Sequence, residues 1–416
     1  MKISLLSQVM MVFFSGFQSV HGADFTLAEI MSLTHAHSPE VSVAQAKKEL
    51  ATRQVEVARS KYLPTLNAEA IESTGFPGSS AYTGVGGLMG SPYRSGFAVG
   101  VTLEQTLYDF GQTGSAVALE QAKIGIAKAD VGLSLFRVDS AVIHAFYECS
   151  LYRSQKDSWE EIRRESEIIA KEVGRFVKTG QRSTVEKYLV DAQTEEALTN
   201  ESNYFEHYKS SIQLLSLMTG QTLEKNCPLI VTREMSFIPP KEKSLDHLLV
   251  LPAEEELAFS RLAVEKAKSA YMPRLVGFGS LGEMENSRLV PKENFSLAIG
   301  LVFPLFDGFQ TKNKVHAAEA FRIEKEKELE LSNENYQKLS LKFQDSIHSS
   351  QTRFLHLQKE LDLAEKGFRI AKERYFSFKG SLIDIREALR NVARTKTQLN
   401  EAATELSINS MLQNLI

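Results

Sequence analysis

Two histidines one residue apart, His35 and His37, are the closest this 416-residue chain comes to a metal site. They stand near the start of a helical segment with no cysteine, aspartate or third histidine clustered beside them, so they are expected to be solvated side chains. The carboxylate run Glu254-Glu255-Glu256 opens another helical segment, where negative charge complements the helix dipole; an acid/base pair is not expected there. The chain has no phosphate-binding loop ending in Lys-Ser/Thr, no His-Glu-x-x-His and no cysteines at zinc spacing. Its two cysteines, Cys149 and Cys227, leave open either a pair of free thiols or a single bridge. No catalysis, cofactor or metal is expected, and function has to be sought in the elements themselves.

Those elements come in duplicate. Val55-Glu-Val-Ala-Arg-Ser-Lys-Tyr-Leu-Pro-Thr-Leu66 returns as Val264-Glu-Lys-Ala-Lys-Ser-Ala-Tyr-Met-Pro-Arg-Leu275, identical at seven of twelve positions, at an offset of 209. Leu107-Tyr-Asp-Phe-Gly-Gln-Thr113 returns as Leu305-Phe-Asp-Gly-Phe-Gln-Thr311 at 198, and Arg175-Phe176 is matched to Arg374-Tyr375 at 199. Three echoes in one order indicate a repeated structural unit. Residues 1–22 read as a secretory signal, with Lys2, an apolar stretch from Leu5 to Phe17 and a small-residue cleavage site. Residues 23–243 form the first repeat and 244–416 the second, each reading as helix, two strands, long helix and return helix. The net charge of -4 becomes -5 once Lys2 is removed, which gives no reason to expect nucleic acid as a partner.

The first helices run from Thr26 to Tyr62 and from Ala253 to Tyr271, each ended by a pre-proline residue. Phe97, Val99, Val101 and Leu103 alternate with Ala98, Gly100, Thr102 and Glu104. Phe295, Leu297, Ile299, Leu301 and Phe303 alternate with Ser296, Ala298, Gly300 and Val302. One apolar face and one small or polar face is the pattern of a membrane-barrel strand. Partner strands fall near 66–74 and 275–283. The loop Gly75–Ser95 is long and Asn286–Glu293 is short, which accounts for the change of 11 in offset.

Thr113–Val177 contains no proline, and Thr311–Phe378 has no proline and one glycine, Gly367. Some 65 helical residues span roughly 100 Å, too long for one globular core to shelter. Tyr336, Leu339, Phe343, Phe354, Leu357, Leu361, Ala364, Phe368, Ala371 and Tyr375 mark a seam at coiled-coil spacing. Glycine turns at Lys178–Ser183 and Phe378–Ser381 lead into return helices Thr184–Met218 and Leu382–Met411. No later window is apolar for the ~20 residues of a membrane helix, so a bilayer would have to be crossed by β-strands. Four strands cannot close a barrel; oligomerisation follows if the strand reading holds.

The duplicated Ala-x-Ser-x-Tyr-Leu/Met-Pro-x-Leu, the strand-to-helix junctions and the two glycine reversals together resemble the TolC-type outer-membrane efflux and secretion channels. The resemblance covers essentially all the chain after the signal. It implies a mainly α fold with a β-barrel portion: a homotrimer with an α-barrel of long antiparallel helices and four transmembrane strands per chain in a 12-stranded barrel. It implies a place in the outer membrane of a Gram-negative bacterium, reaching into the periplasm, with a periplasmic adaptor, an inner-membrane pump and membrane lipid as partners. The implied role is a passive conduit for small molecules or secreted protein; the alternative is a periplasmic coiled-coil scaffold without a pore. On the family pattern, Asp384 and Glu387 form carboxylate rings that constrict the tunnel, with Glu186 in the matching place of the first repeat and Leu189 where Glu387 would be. Helix geometry puts Asp384 and Glu387 on one face; the competing expectation is that they complement the helix N-terminus. Tyr375 would brace the closed state. Gly180, Gln181, Arg182 and Ser183, with Lys379, Gly380 and Ser381, would be the partner-binding tips, Phe378 standing where the family has glycine.

Overall fold

The computed structural model describes residues 24–74, 95–230, 245–286 and 289–415. The expected signal segment, the expected loop at 75–94 and residues 231–244 lie outside them. Helices α1 (Leu27–His37) and α2 (Pro39–Arg59) replace the single first helix expected from the sequence. The break is local chemistry: Ser38 takes extended geometry ahead of a proline and caps α2 through Oγ, which accepts the Val41 N–H. A 3-10 turn, Ser60–Tyr62, then leads to Leu63, extended before Pro64.

The strands are β1 (Thr65–Thr74), β2 (Ser95–Tyr108), β3 (Arg274–Asn286) and β4 (Leu289–Val302). The helices that follow are α3 (Gln112–Lys178), α4 (Thr184–Thr219), α5 (Leu245–Ser269), α6 (Gln310–Phe376) and α7 (Leu382–Leu415). Helix α5 begins before Pro252 and carries it internally, so this helix starts earlier than the Ala253 expected from the sequence. The second hairpin is also tighter: most of the expected loop Asn286–Glu293 is strand, leaving residues 287–288 between β3 and β4. Helices α3 and α6 are both 67 residues long and start 198 apart. The match of Arg175-Phe176 to Arg374-Tyr375 at 199 is therefore one residue out of register; Val177 is the counterpart of Tyr375. No helix among the described residues is long and apolar enough to cross a membrane.

The described chain divides into two compact units whose bounds differ from the two repeats expected from the sequence. One comprises Ser38–Ala141, Ser236–Thr352 and Ile408–Ile416 and contains the sheet, ordered β1-β2-β3-β4 and antiparallel throughout. Its register puts Leu66, Val101, Leu103, Leu281, Leu297, Ile299 and Leu301 on one face, all exposed. The other face carries Glu69, Thr102, Ser280 and Ser296. There Thr102 Oγ1 donates to Glu69 Oε1 at 3.2 Å, and the Ser280 and Ser296 hydroxyls lie 2.6 Å apart. Gly100 pairs with Gly282, and a Cβ on Gly282 would stand 2.5 Å from the Val99 carbonyl oxygen, so glycine permits the close backbone approach.

Each strand-to-helix junction uses an aspartate to cap the long helix. Asp109 accepts from the Thr113 amide at 2.7 Å, and Asp307 from the Thr311 amide at 2.8 Å. Between cap and helix the pairs Phe110-Gly111 and Gly308-Phe309 all have positive φ, so the two junctions share a left-handed backbone with glycine and phenylalanine exchanged.

The other unit comprises Met1–His37, Val142–Met235 and Arg353–Ser407. Its core draws Ile162, Ile169 and Val173 from α3, Val190 and Ala197 from α4, Tyr375 from α6, and Leu382, Ile385, Leu389, Val392 and Ala393 from α7. Burying each large apolar side chain contributes about 1.5–3 kcal/mol, which is what the 3.5-residue spacing of α7 secures. Cys149 and Cys227, both fully buried, form a disulfide across a separation of 78 residues. Of the two possibilities left open by the sequence, the structure takes the bridge. In the chain-entropy model a loop of that size stabilises the fold by roughly 4–5 kcal/mol.

Candidate functional site: the paired helix reversals

Both reversals lie within the second unit described, so their geometry can be read together. At the end of α3 the Gly180 amide donates to the Val177 carbonyl and the Gln181 amide to the Phe176 carbonyl, with Gly180 at φ 73°. At the end of α6 Phe378 and Lys379 repeat these bonds to Tyr375 and Arg374, with Phe378 at φ 61°. The two are the same helix-ending motif, which needs a left-handed residue at this place. Glycine adopts it freely; a phenylalanine pays about 1–2 kcal/mol of strain. The ring of Phe378 packs 4.9 Å from that of Phe176 and stays 52% exposed.

Arg182 joins one turn to the other. Its guanidinium lies 4.5 Å from the centre of the Tyr375 ring and 5.4 Å from that of Phe378. It donates to the carbonyls of Tyr375 and Gly380, each at 3.4 Å, and approaches the Glu186 carboxylate to 3.8 Å. Tyr375 is fully buried, and its hydroxyl donates to Glu186 Oε2 at 2.7 Å. Burial, then this bond and the negative charge of Glu186, hold the tyrosine protonated well above its ordinary range. The result is one cluster in which Tyr375 of α6, Glu186 of α4 and Arg182 of the first turn tie the two reversals to each other. The sequence singled out all three residues, but nothing in their spacing showed that Arg182 would reach across to the second turn.

Ser183 Oγ accepts the Val185 amide at 3.2 Å, starting α4. Ser381 and Asp384 form a reciprocal cap on α7: the Asp384 amide donates to Ser381 Oγ, and the Ser381 amide to Asp384 Oδ2, each at 3.2 Å. Asp384 thus meets the helix-end expectation while remaining exposed, and Glu387 is exposed one turn further along. Glu387 borders a groove of about 600 Å³ shared with Trp159, Ala197 and Arg394. Glu186 differs from Asp384: its carboxylate is engaged by Tyr375 and Arg182. Gln181, Lys379 and Gly380 complete the turns. Elsewhere, His37 packs its ring against Gly220, and among the described residues no group of three His, Cys, Asp or Glu side chains is placed to hold a metal.

Residues 30–221 match the family model described as outer membrane efflux protein. The protein CyaE of Bordetella pertussis is 24% identical over 319 residues, 71% of this chain and 64% of that protein, so this chain spans less than two thirds of its relative. Among solved structures, that of CusC, described in connection with transmembrane channel formation, superposes with a TM-score of 0.79 at 16% identity, covering 94% of this chain and 92% of the other. The outer membrane protein VceC of Vibrio cholerae gives 0.75 at 15% identity, covering 93% and 94%. Residues 30–221 are thus similar to the outer membrane efflux protein family, and over almost its whole length the chain has the fold of CusC and VceC.

Proposed function

We propose that this protein is the outer-membrane channel of a tripartite efflux or type I secretion system, a passive conduit through which a partner pump drives small molecules or secreted protein. The observation that carries this reading is the sheet. Its apolar face is exposed along all four strands, its opposite face is small or polar, and β1 and β4 are left as edges. Lipid is the solvent that suits such a face, and every edge amide in a bilayer needs a partner. Because the strands alternate in direction, β4 of one copy can pair antiparallel with β1 of the next. Three copies give 12 strands and enough long helices for a hollow tube. A poreless periplasmic scaffold would leave both the face and the edges without a use.

In this homotrimer the barrel lies in the outer membrane and the helices extend into the periplasm towards an adaptor and an inner-membrane pump. The two repeats, 23–243 and 244–416, follow a signal at 1–22. Gly180–Ser183 and Lys379–Ser381 are the adaptor-facing tips. Asp384 and Glu387 bring six carboxylates to the constriction, narrowing it and favouring cations. Tyr375, with Glu186 and Arg182, braces the closed state. The test is single-channel recording in planar bilayers: wild-type protein should conduct, and Asp384→Ala with Glu387→Ala should conduct more. Failure of the wild type to conduct would remove the channel; equal conductance would remove these two residues from the constriction.

A further inference from the structure

The strongest feature that the channel reading leaves unused is the buried Cys149–Cys227 bridge. Residues 221–230, the last described before the segment joining the repeats, contain neither helix nor strand, so backbone ladders do not hold them. They are held instead at separate points. The Phe25 amide donates to the Asn226 carbonyl at 3.3 Å, Lys225 pairs with Glu29 at 3.0 Å, and the Ile230 amide donates to Ser154 Oγ at 2.9 Å. The Tyr208 hydroxyl donates to Asn226 Oδ1 at 3.0 Å, and Arg153 donates to the Cys227 carbonyl while pairing with Asp24 at 2.8 Å. Three of these contacts involve charged, partly exposed side chains, and such pairs contribute little individually. At the centre of the group is the one covalent tie, from α3 to Cys227, with the sulfur-bearing residues fully buried and Phe146 and Phe25 packed nearby.

We propose that this strap is installed by an exported thiol oxidase, and that oxidation of Cys149 and Cys227 is a required step in folding before the strap closes. In the reaction a disulfide of the oxidase accepts the thiolate of one cysteine, forming a mixed disulfide. The second thiolate then displaces the oxidase thiol. The two protein thiols lose two protons and two electrons, and the oxidase disulfide becomes a dithiol. Two features support this order. A persistent structural disulfide belongs to an oxidising compartment, the side of the inner membrane to which a secretory signal leads. And neither cysteine is accessible once folded, so an enzyme must reach them earlier, and a reductant cannot reach them later.

The test counts thiols with a mass-adding alkylating reagent on chains made in cells with and without their periplasmic dithiol oxidase. From normal cells the denatured chain should take no tag before reduction and two after it. The detergent-extracted native protein should take none even with reductant present. From oxidase-deficient cells it should take two tags without reduction, and its abundance should fall several-fold. Cys149→Ser with Cys227→Ser should show the same loss in normal cells and no further loss without the oxidase, which separates the bridge from the oxidase's other clients. Two free thiols in normal cells, ready reduction of the native protein, or full abundance of the double variant would overturn the proposal. The thiol count is read on denatured chains, so it stands or falls independently of whether the protein conducts.

Discussion

Tyr375→Phe isolates the brace between the reversals, because it removes one hydroxyl from a fully buried ring and leaves the packing in place. The bond lost is 2.7 Å long and ends on a carboxylate, a class contributing about 1.5–3 kcal/mol. Glu186 keeps Arg182 at 3.8 Å, and 24% of its side chain is exposed, so water can recover part of the loss. The expected cost is therefore ~1–2 kcal/mol. The change is local, so the assay is hydrogen exchange at the amides of Gln181 and Lys379, which close the two turns. Both should exchange about 5–30-fold faster. Glu186→Gln combined with Tyr375→Phe should be clearly non-additive. The titration gives a second check. Because the folded tyrosine's pKa is raised, its contribution is full below the unfolded value of about 10 and is lost as the pH rises above it. Tip protection in wild type should decline above that pH by a component that Tyr375→Phe lacks. Exchange within twofold of wild type, additive effects, or the same alkaline decline in both proteins would refute the reasoning.

Phe378 offers a prediction of opposite character. Gly at this position relieves about 1–2 kcal/mol of left-handed strain while forfeiting ring contacts with Phe176 and Arg182 worth a similar amount, so Phe378→Gly should alter stability by less than ~1 kcal/mol in denaturant titration. Phe378→Ala keeps the strain and loses the ring, and should be the less stable of the two variants. If Asp384 and Glu387 line the constriction, their double alanine variant should also resist block by trivalent cations, read as the concentration that halves the current; unchanged block would argue against the rings.

Period-two alternation at 97–103 and 295–303 was legible because one face of the sheet is apolar and the other small or polar, and that difference is written in every second residue. The seam of α7 was legible for the same reason: Ile385, Leu389, Val392, Leu399, Ala403 and Leu406 are all buried. Local interruptions were harder. Ser38-Pro39 is a capping signal that a run of good helix formers on both sides obscured, whereas Pro252 is tolerated inside α5. The register of the long helices went astray because Arg-aromatic occurs at both ends, at positions one apart, and side-chain identity cannot outweigh equal helix length. Long-range pairings were beyond reach. That Cys149 meets Cys227, with Cα atoms 6.0 Å apart, and that Arg182 crosses to Tyr375 depend on how four helices pack, which no local pattern encodes.

The central claim is that several copies complete one membrane-spanning wall, and the mass of the detergent-extracted protein tests it most directly. The account predicts a particle of three chains that needs detergent to leave the membrane. A single chain, soluble in buffer without detergent, would contradict it.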